Sequence, residues 1–453
     1  MTRDELKQRV NAAIEANAER IVALGERIRR QPELGFKEVK TAALVADVFR
    51  ELGLAPKTGL ALTGVRADVA GGAGPGPTFA VMGELDGLVV QGHPEADTAT
   101  GAAHACGHNA QVAGMLGAAI GLTATKAMEH LAGRVAFFAV PAEEGGDLEW
   151  RLEKVRAGRL ELLGGKCELL RLGHLDDVDL AMMIHTTPRA EDGAVAIPRS
   201  NNGRFGKTVR FVGKAAHAGA APHTGVNALY AAHIALMGIN AVRETFRDED
   251  TVRVHPILTH GGSQVNVIPG EARLETYVRG RTLEAIREAN TRVDRALRAG
   301  ALALGATVEI ETLPGYLPLT CDATMASVFK VNAETMFGAG ACRDAGHRGG
   351  STDMGDVSQV MPVLHPYMGG ARGTGHAADY AIADPHMAYV MPARALAAMV
   401  VDLLWDGAGR AREVVATAKP ALTRDAYVKF QRDIRKREVY DGAAPAQSAV
   451  STS

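Results

Sequence analysis

The order of secondary structure between residues 205 and 313 constrains the fold more than any other feature of this 453-residue chain. Apolar alternation and helical spacing there predict six elements in the order βαββαβ, which is typical of the ferredoxin-like fold. They are the segments KTVRFVG, VNALYAAHIALMGINAVRETF, TVRVHPIL, ARLETYVRG, LEAIREANTRVDRALRAGALAL and TVEIET. Because an α/β pattern lies on both sides of this stretch, we expect a separate domain inserted into a larger one.

The larger domain is predicted to be α/β, with a mixed sheet flanked by helices. Two helices are expected in the first 50 residues, on either side of Pro32. The β-rich runs TFAVMGEL (78–85) and RVAFFAV (134–140) flank an apolar helix, and the chain's second α/β part ends in the helix ARALAAMVVDLLW. We therefore predict a main domain in two parts (1–204 and 314–440), an inserted domain (205–313) and a disordered tail (441–453).

Composition excludes several functional classes. Fifty Lys and Arg oppose 52 Asp and Glu, so there is no bulk positive field for nucleic acid or for an anionic membrane surface. The N-terminus has no apolar signal-peptide core, and no 18-residue apolar run is evident. Four isolated cysteines are too few for a disulfide framework and favour a reducing compartment. We expect a cytoplasmic, water-soluble protein.

The motif HACGHN places a thiol and an imidazole two residues apart, at Cys106 and His108. Gly107 separates them on a loop just before an apolar helix, so both side chains could face one point. Taken alone, the motif is more typical of a buried cysteine and a capping histidine. Its interpretation therefore depends on what else ends nearby in the sheet.

Two adjacent carboxylates, Glu143 and Glu144, follow an apolar strand in PAEEGG. Neighbouring side chains at a strand end diverge, so one can bind a cation while the other acts as a base. The run LAMMIH ends at His185, and the glycine-rich stretch GGARGTGH ends at His376. Cys, His and carboxylate donors in four such segments suit zinc, with manganese or cobalt as alternatives.

Seven motifs together give the chain a recognisable resemblance. They are GELDGL, HACGHN, PAEEGG, GKAAHAGAAPHTGVNAL, NVIP, STDMGDVS and the stretch from HPYMGG to GTGH. With these motifs in order across residues 80–400, the chain resembles the zinc-dependent aminoacylase and carboxypeptidase family of amidohydrolases (metallopeptidase family 20). It is most similar to the branch of aminobenzoyl-glutamate hydrolase and β-alanyl-lysine dipeptidase-like proteins. This resemblance implies a zinc-exopeptidase-like catalytic domain and an inserted lid and dimerisation domain.

The resemblance also implies a metal centre of two divalent ions, zinc, manganese or cobalt. The Cys106 thiolate would bridge the two ions. Glu144 and His376 would complete one site, and His108 and His185 the other.

Further roles follow from the same resemblance. Glu143 is the implied general base and acid, and Asp86 the carboxylate behind a ligating imidazole. In the inserted domain, His217 of AAHAG is the implied oxyanion donor, and Asn266 of NVIP contacts the substrate's polar end.

Three more residues are candidates for binding substrate. Arg279 closes a strand and could pair with a substrate carboxylate, although an exposed structural arginine is as good a reading. Gly350 and Ser351 are implied to line the leaving-group pocket, and the nearby Asp353 could be a helix cap.

The sequence departs from the family pattern beside two of these motifs. Asp86 is followed by Gly-Leu-Val where relatives often have Ala-Leu-Pro, and the loop 90–103 is elongated. The segment 148–175 is also longer than the resemblance requires. Both lie next to proposed ligands, so they bear on substrate choice more than on the metals.

The main hypothesis is a metal-dependent hydrolase that cleaves the amide bond of an N-acyl amino acid, a dipeptide or an aryl-amide conjugate. A homodimer formed through the inserted domain is expected, with His217 acting on the partner's site. One alternative makes Cys106 a thiol nucleophile with His108 as its base, which leaves the other candidates unexplained. Another is a non-catalytic binding or assembly protein that keeps the fold.

Overall fold

The structure is a computed structural model that describes residues 1–444. Its helices are α1 (Arg3–Ala16), α2 (Ala18–Arg29), α3 (Val39–Glu51), α4 (His108–Ala124), α5 (Leu148–Arg156), α6 (Gly165–Arg171), α7 (Ala228–Arg243), α8 (Leu283–Leu304), α9 (Ala323–Phe337), α10 (Met354–Ser358), α11 (Met391–Thr417, broken at Trp405–Ala408) and α12 (Arg424–Ile434). Its strands are β1 (Lys57–Leu60), β2 (Gly64–Ala70), β3 (Thr78–Glu84), β4 (Leu88–Val89), β5 (Ala102–Ala103), β6 (Arg134–Val140), β7 (Leu180–Met182), β8 (His185–Thr186), β9 (Val195–Asn201), β10 (Gly203–Val212), β11 (Arg253–Val254), β12 (Ile257–His260), β13 (Glu271–Gly280), β14 (Thr307–Leu313), β15 (Leu319–Thr320), β16 (Cys342–Arg348), β17 (Val363–Leu364), β18 (Tyr367–Met368), β19 (Ala371–Arg372), β20 (Ala381–Ile382) and β21 (Lys436–Asp441).

Unit 1 contains Met1–Ser200, Leu319–Arg348 and Thr352–Val428. Its main sheet has the order β1-β2-β6-β3-β7-β17. The strands β6, β3, β7 and β17 are parallel, whereas β1 and β2 are antiparallel to their neighbours. All seven residues of β3 are buried, as expected for a strand covered on both faces. The predicted mixed sheet flanked by helices is confirmed, and its parallel strands end at one edge.

Helix α4 packs between this sheet and the helices α1, α2 and α11. It is buried on nearly every side, and small residues allow the close approach. A Cβ on Gly117 would lie only 2.6 Å from the Cβ of Ala393 in α11. The segment His386–Thr417 is long and apolar enough to cross a membrane, but 89% of its most hydrophobic window is buried, as in a core helix.

Unit 2 contains Asn201–Pro318, Gly349–Ser351 and the residues from Lys429 onward. Its sheet has the order β11-β13-β10-β14-β21, with β12 also paired to β13. Burial alternates along β13, and the apolar face packs against α7 and α8. The first six elements follow the predicted ferredoxin-like order. All four residues of the outer strand β12 are exposed.

The structure differs from the sequence-based expectations at two places. Lys436–Asp441 forms β21 and pairs along its whole length with β14, so it joins the unit 2 sheet, although residues 314–440 are predicted to belong to the main domain. The predicted tail begins inside this strand, and its residues 445–453 lie outside the described part of the chain. At the N-terminus the chain forms three helices and not two, because Asn17 leaves the helical conformation between α1 and α2.

Candidate functional site

The parallel strands of unit 1 end where the predicted site residues begin. Strand β3 leads to Asp86, β6 to the pair Glu143 and Glu144, and β7 to His185. Helix α4 begins at His108 and points its N-terminus to the same edge. The carboxyl edge of parallel strands is the usual place for a ligand site, because loops from several strands converge there.

Cys106 lies at the centre of this group. Its Sγ is 3.4 Å from the Nε2 of His185 and 3.3 Å from the Nε2 of His376. The turn into α4 depends on Gly107, which has φ of 90°, and a Cβ there would lie 2.4 Å from the hydroxyl of Tyr380. Only glycine fits this turn without strain, and the turn places Cys106 and His108 on the same site.

Two sets of donor atoms share the Cys106 sulfur. One set is Cys106, His108 and His185, and the other is Cys106, Glu144 and His376. Within each set, the donor atoms lie within 4.8 Å of one another. The structure thus brings together all five residues predicted as metal ligands, in the two groups that the resemblance implies.

Orphaned polar atoms show that these donors fit a cation. The Nε2 of His108 and the Oε1 of Glu144 are buried and have no hydrogen-bond partner among the described residues. The Glu144 Oε1 lies 3.2 Å from the Nε2 of His376. A buried donor atom without a partner is costly, and a bound metal ion would satisfy it. The nitrogen, oxygen and sulfur donors match the preferences of zinc.

The charges of the site prepare two ligands for metal binding. Burial and Glu144 oppose ionisation of Cys106, but the nearby His108 and His185 imidazoles outweigh them and lower its pKa to about 6. Burial also opposes ionisation of Glu144, but a hydrogen bond from His376 lowers its pKa to about 2. Both groups are therefore ionised at neutral pH, as metal ligands must be.

His376 carries a proton in the metal-free site. Hydrogen bonds to Cys106 and Glu144 raise the pKa of His376 to about 11, because they stabilise the imidazolium. A metal ion that takes its Nε2 must displace that proton. Metal binding at this position is therefore linked to proton release.

Asp86 fixes two of the neighbouring groups. The Nδ1 of His108 lies 2.8 Å from the Asp86 carbonyl oxygen and 3.2 Å from its carboxylate Oδ1. The other carboxylate oxygen accepts a hydrogen bond from the Glu144 backbone N–H, at 2.8 Å. Asp86 thus leaves the Nε2 of His108 as the nitrogen available to a metal.

Glu143 is buried beside the donor sets, with its Oε2 4.0 Å from the Nε2 of His108. Burial and the negative charges of Glu84, Glu144 and Asp353 raise its pKa well above the usual range. A positive ion at the site would oppose this shift. A carboxylate in such surroundings readily accepts a proton, as a general base does.

A charged cluster beneath the site was not predicted from the sequence. The buried Lys166 donates hydrogen bonds of 2.5 Å to Glu84 and to Asp353. Asp353 makes no side-chain cap to α10, so its role is the bond to Lys166 and not that of a helix cap. His365, which follows β17, is also buried there. The one available signal was the position of Glu84 at the end of a buried strand.

The two elongated segments support residues of the site. In the loop 90–103, the Nε2 of His93 lies 3.0 Å from the carbonyl oxygen of Tyr380, four residues after His376. The segment 148–175 forms α5 and α6 and contains Arg151, which donates a 2.5 Å hydrogen bond to the Glu144 carbonyl oxygen. Both insertions therefore buttress backbone near proposed ligands.

In unit 2, His217 and Asn266 lie on neighbouring segments. The backbone N–H of Ala218 donates to the carbonyl oxygen of Asn266, at 2.9 Å, and both side chains are on exposed residues. The Nδ1 of His217 accepts from the backbone N–H groups of Gly219 and Ala220, at 3.2 and 3.0 Å. A neutral His217 therefore carries its proton on Nε2, where it can be donated.

The other predicted substrate residues of unit 2 form a second group. The guanidinium of Arg279 donates to the hydroxyl of Ser351, at 2.9 Å, and lies over the ring of Tyr277. Gly350 precedes Ser351 on the same short segment, and no heavy atom lies within 4 Å of the position of a Cβ there. The backbone at Gly350 is thus open to an approaching group.

Comparison with known proteins gives one family for most of the chain. Residues 80–400 match the family model described as Peptidase family M20/M25/M40. Xaa-Arg dipeptidase of Mus musculus is 30% identical over 461 residues, which cover 97% of this chain and 95% of the mouse protein. One of the p-aminobenzoyl-glutamate hydrolase polypeptides of Escherichia coli is 28% identical over 324 residues, covering 69% of this chain and 62% of that protein.

Solved structures share the fold at lower identity. A dinuclear metal-binding peptidase of the M20 family from Bacillus subtilis has a TM-score of 0.64 and 22% identity, and the match covers 86% of this chain and 99% of that one. An aminobenzoyl-glutamate utilization protein from Klebsiella pneumoniae has a TM-score of 0.64 and 20% identity, covering 88% and 99%.

Proposed function

Since the chain belongs to peptidase family M20/M25/M40 and is a hydrolase of peptide or amide bonds, we propose that it cleaves dipeptides or N-acyl amino acids with a centre of two divalent metal ions. One observation carries the proposal. The Cys106 sulfur belongs to two donor sets at once, one with His108 and His185 and one with Glu144 and His376. A single shared thiolate between two such sets is the arrangement expected for a bridged pair of ions.

Divalent ions bound by these five residues would supply Lewis acidity, which polarises the scissile carbonyl and makes water more acidic. Glu143 takes the proton from the attacking water and returns it to the leaving amine. Its burial supports this role, because a desolvated carboxylate between other negative charges holds a proton readily. Asp86 keeps the His108 imidazole in one orientation throughout.

His217 stabilises the oxyanion in this proposal. Its Nδ1 is occupied by two backbone N–H groups, which leaves an N–H at Nε2 for a substrate oxygen. Asn266, on the adjacent segment, contacts the polar end of the substrate. Arg279 pairs with the substrate carboxylate, and its contact with Ser351 holds the guanidinium in place.

We also propose that the protein is a homodimer formed through unit 2. The outer strand β12 has no neighbour on one side among the described residues, and its Ile257 is 61% exposed. Tyr230 and Met237 on α7 are 61% and 59% exposed. An unpaired strand edge together with exposed apolar side chains favours association with a second copy. In such a dimer His217 would act on the partner's site.

Turnover of a substrate panel tests the proposed activity. The metal-reconstituted protein is assayed with Xaa-Arg dipeptides, other dipeptides, N-acetyl amino acids and p-aminobenzoyl-glutamate, beside the matched variant Glu143→Gln. We expect hydrolysis of at least one class by the wild type, and its loss with a chelator. Activity that survives the chelator would favour the Cys106 nucleophile, and no turnover of any class would favour the non-catalytic binding or assembly protein.

A further inference from the structure

Glu84 is a buried carboxylate that the five proposed ligands do not include. It is the last residue of β3 and is 1% exposed. Lys166 donates to its Oε1 at 2.5 Å, and the side-chain amide of Gln111 donates to its Oε2 at 2.8 Å. The carboxylate is therefore held in one orientation from two sides.

The Oε2 of Glu84 lies 3.0 Å from the Nε2 of His108. At that distance a hydrogen bond would be expected, yet the buried Nε2 makes none of acceptable geometry within residues 1–444. The other nitrogen of the ring is already bound by Asp86. The two atoms thus lie side by side without bonding to each other.

Such a pair is what two ligands of one ion look like. With metal–ligand distances of about 2.0–2.2 Å, two donor atoms at a near right angle lie roughly 3 Å apart. The Cys106 Sγ and His185 Nε2, which are proposed to share the same ion, are separated by a similar 3.4 Å. Glu84, His108 and Glu143 also form a group whose donor atoms lie within 4.8 Å of one another.

We propose that Glu84 is a sixth protein ligand of the metal centre and binds the same ion as Cys106, His108 and His185. This inference rests on the proposed function. That ion would then have four protein donors, whereas the ion at Glu144 would have three. A position with four protein donors is typically closed, and one with three keeps a place for water or substrate. The two ions are therefore expected to differ in affinity and in exchange rate.

Lys166 acts as a positioning residue in this arrangement. It is fully buried, and its Nζ bridges the carboxylates of Glu84 and Asp353. Its charge offsets theirs, so that a carboxylate can remain at the centre without an unpaired negative charge behind it. The geometry also provides a matched control, because Asp353 contacts the same lysine but belongs to none of the donor groups.

Metal binding by three proteins tests the inference: the wild type, Glu84→Gln and the control Asp353→Asn. Each is titrated with Zn²⁺ by calorimetry and loaded with Co²⁺ for visible absorption, which reports the ligands directly. We expect Glu84→Gln to weaken one of two binding steps by at least about 100-fold, the upper end of what a group behind a ligand contributes. It should also change the Co²⁺ spectrum, while Asp353→Asn preserves it.

An unchanged Co²⁺ spectrum in Glu84→Gln, or equal losses in both variants, would overturn the inference and leave Glu84 as a partner of Lys166 only. If Glu84→Gln does not fold, the double variant Glu84→Gln/Lys166→Met removes both charges of the pair and is titrated instead. A crystal structure of the zinc-loaded wild type gives an independent answer: a Glu84 oxygen about 2.0–2.2 Å from an ion supports the inference, and one beyond about 3 Å contradicts it. A wild type that binds no metal would contradict the proposed function itself.

Discussion

Replacing His365 with phenylalanine should change how the stability of unit 1 depends on pH. His365 is 1% exposed, and neither ring nitrogen has a hydrogen-bond partner within residues 1–444. Burial, together with the neighbouring His185, lowers the pKa of His365 to about 3. In the unfolded chain a histidine has a pKa of about 6.5. Between these values the unfolded state binds a proton that the folded state does not, so stability falls as the pH falls.

The magnitude follows from the two pKa values. One such histidine reduces the free energy of unfolding by up to about 1.4 kcal/mol per pH unit, or about 2.5 kcal/mol between pH 6 and pH 4. Phenylalanine has a ring of similar size and cannot take the proton. The difference in free energy of unfolding, His365→Phe minus wild type, should therefore rise by about 2.5 kcal/mol over that interval.

Urea unfolding of the chelator-treated protein measures this difference at pH 4, 5, 6 and 7. Trp150 and Trp405 both belong to unit 1, so tryptophan fluorescence follows that unit. His130→Phe, which removes an exposed histidine, is the matched control. A difference between His365→Phe and wild type that stays constant from pH 6 to pH 4 would refute the reasoning, because His365 would then be protonated in the folded state as easily as in the unfolded one.

Three further outcomes are expected. Asp86→Asn should weaken metal binding about 10- to 100-fold by calorimetry, because the carboxylate orients a proposed ligand, and unchanged affinity would exclude that role. Ile257→Asp should yield a monomer in analytical ultracentrifugation, whereas Val331→Asp, a 63% exposed position in unit 1, should remain dimeric. His217→Ala should lose about 10²- to 10³-fold in turnover and keep its metal. Mixing it with Glu143→Gln under subunit exchange should restore activity towards about a quarter of wild type, and no recovery would place His217 in its own chain's site.

Much of the site could be predicted because its residues end regular elements. The strands before Asp86, Glu143 and His185 are short apolar runs whose polar ends are visible in the sequence. Parallel pairing then brings those ends to one edge, so local patterns indicate a shared site. The ferredoxin-like order of unit 2 could be predicted for the same reason, since each element has its own periodicity.

The remaining features depend on contacts between distant residues. Lys166 contacts carboxylates 82 and 187 positions away, and nothing near it in the chain indicates burial of a charge. Strand β21 is rich in charged residues and largely exposed, so its pairing with β14 has no apolar alternation to signal it. Asn17 divides α1 from α2 through a hydrogen bond from its own amide to Ala13, within a continuous helical pattern.

Metal content and turnover of Glu143→Gln and Glu144→Gln test the central claim most directly. The wild type, reconstituted with zinc, manganese or cobalt, should contain about two ions per chain by elemental analysis. Glu143→Gln should keep both ions and lose about 10²- to 10⁴-fold in turnover, as expected for loss of a general base. Glu144→Gln should lose metal as well as activity. Fewer than one ion per chain in the wild type, or metal loss in Glu143→Gln but not in Glu144→Gln, would contradict the account.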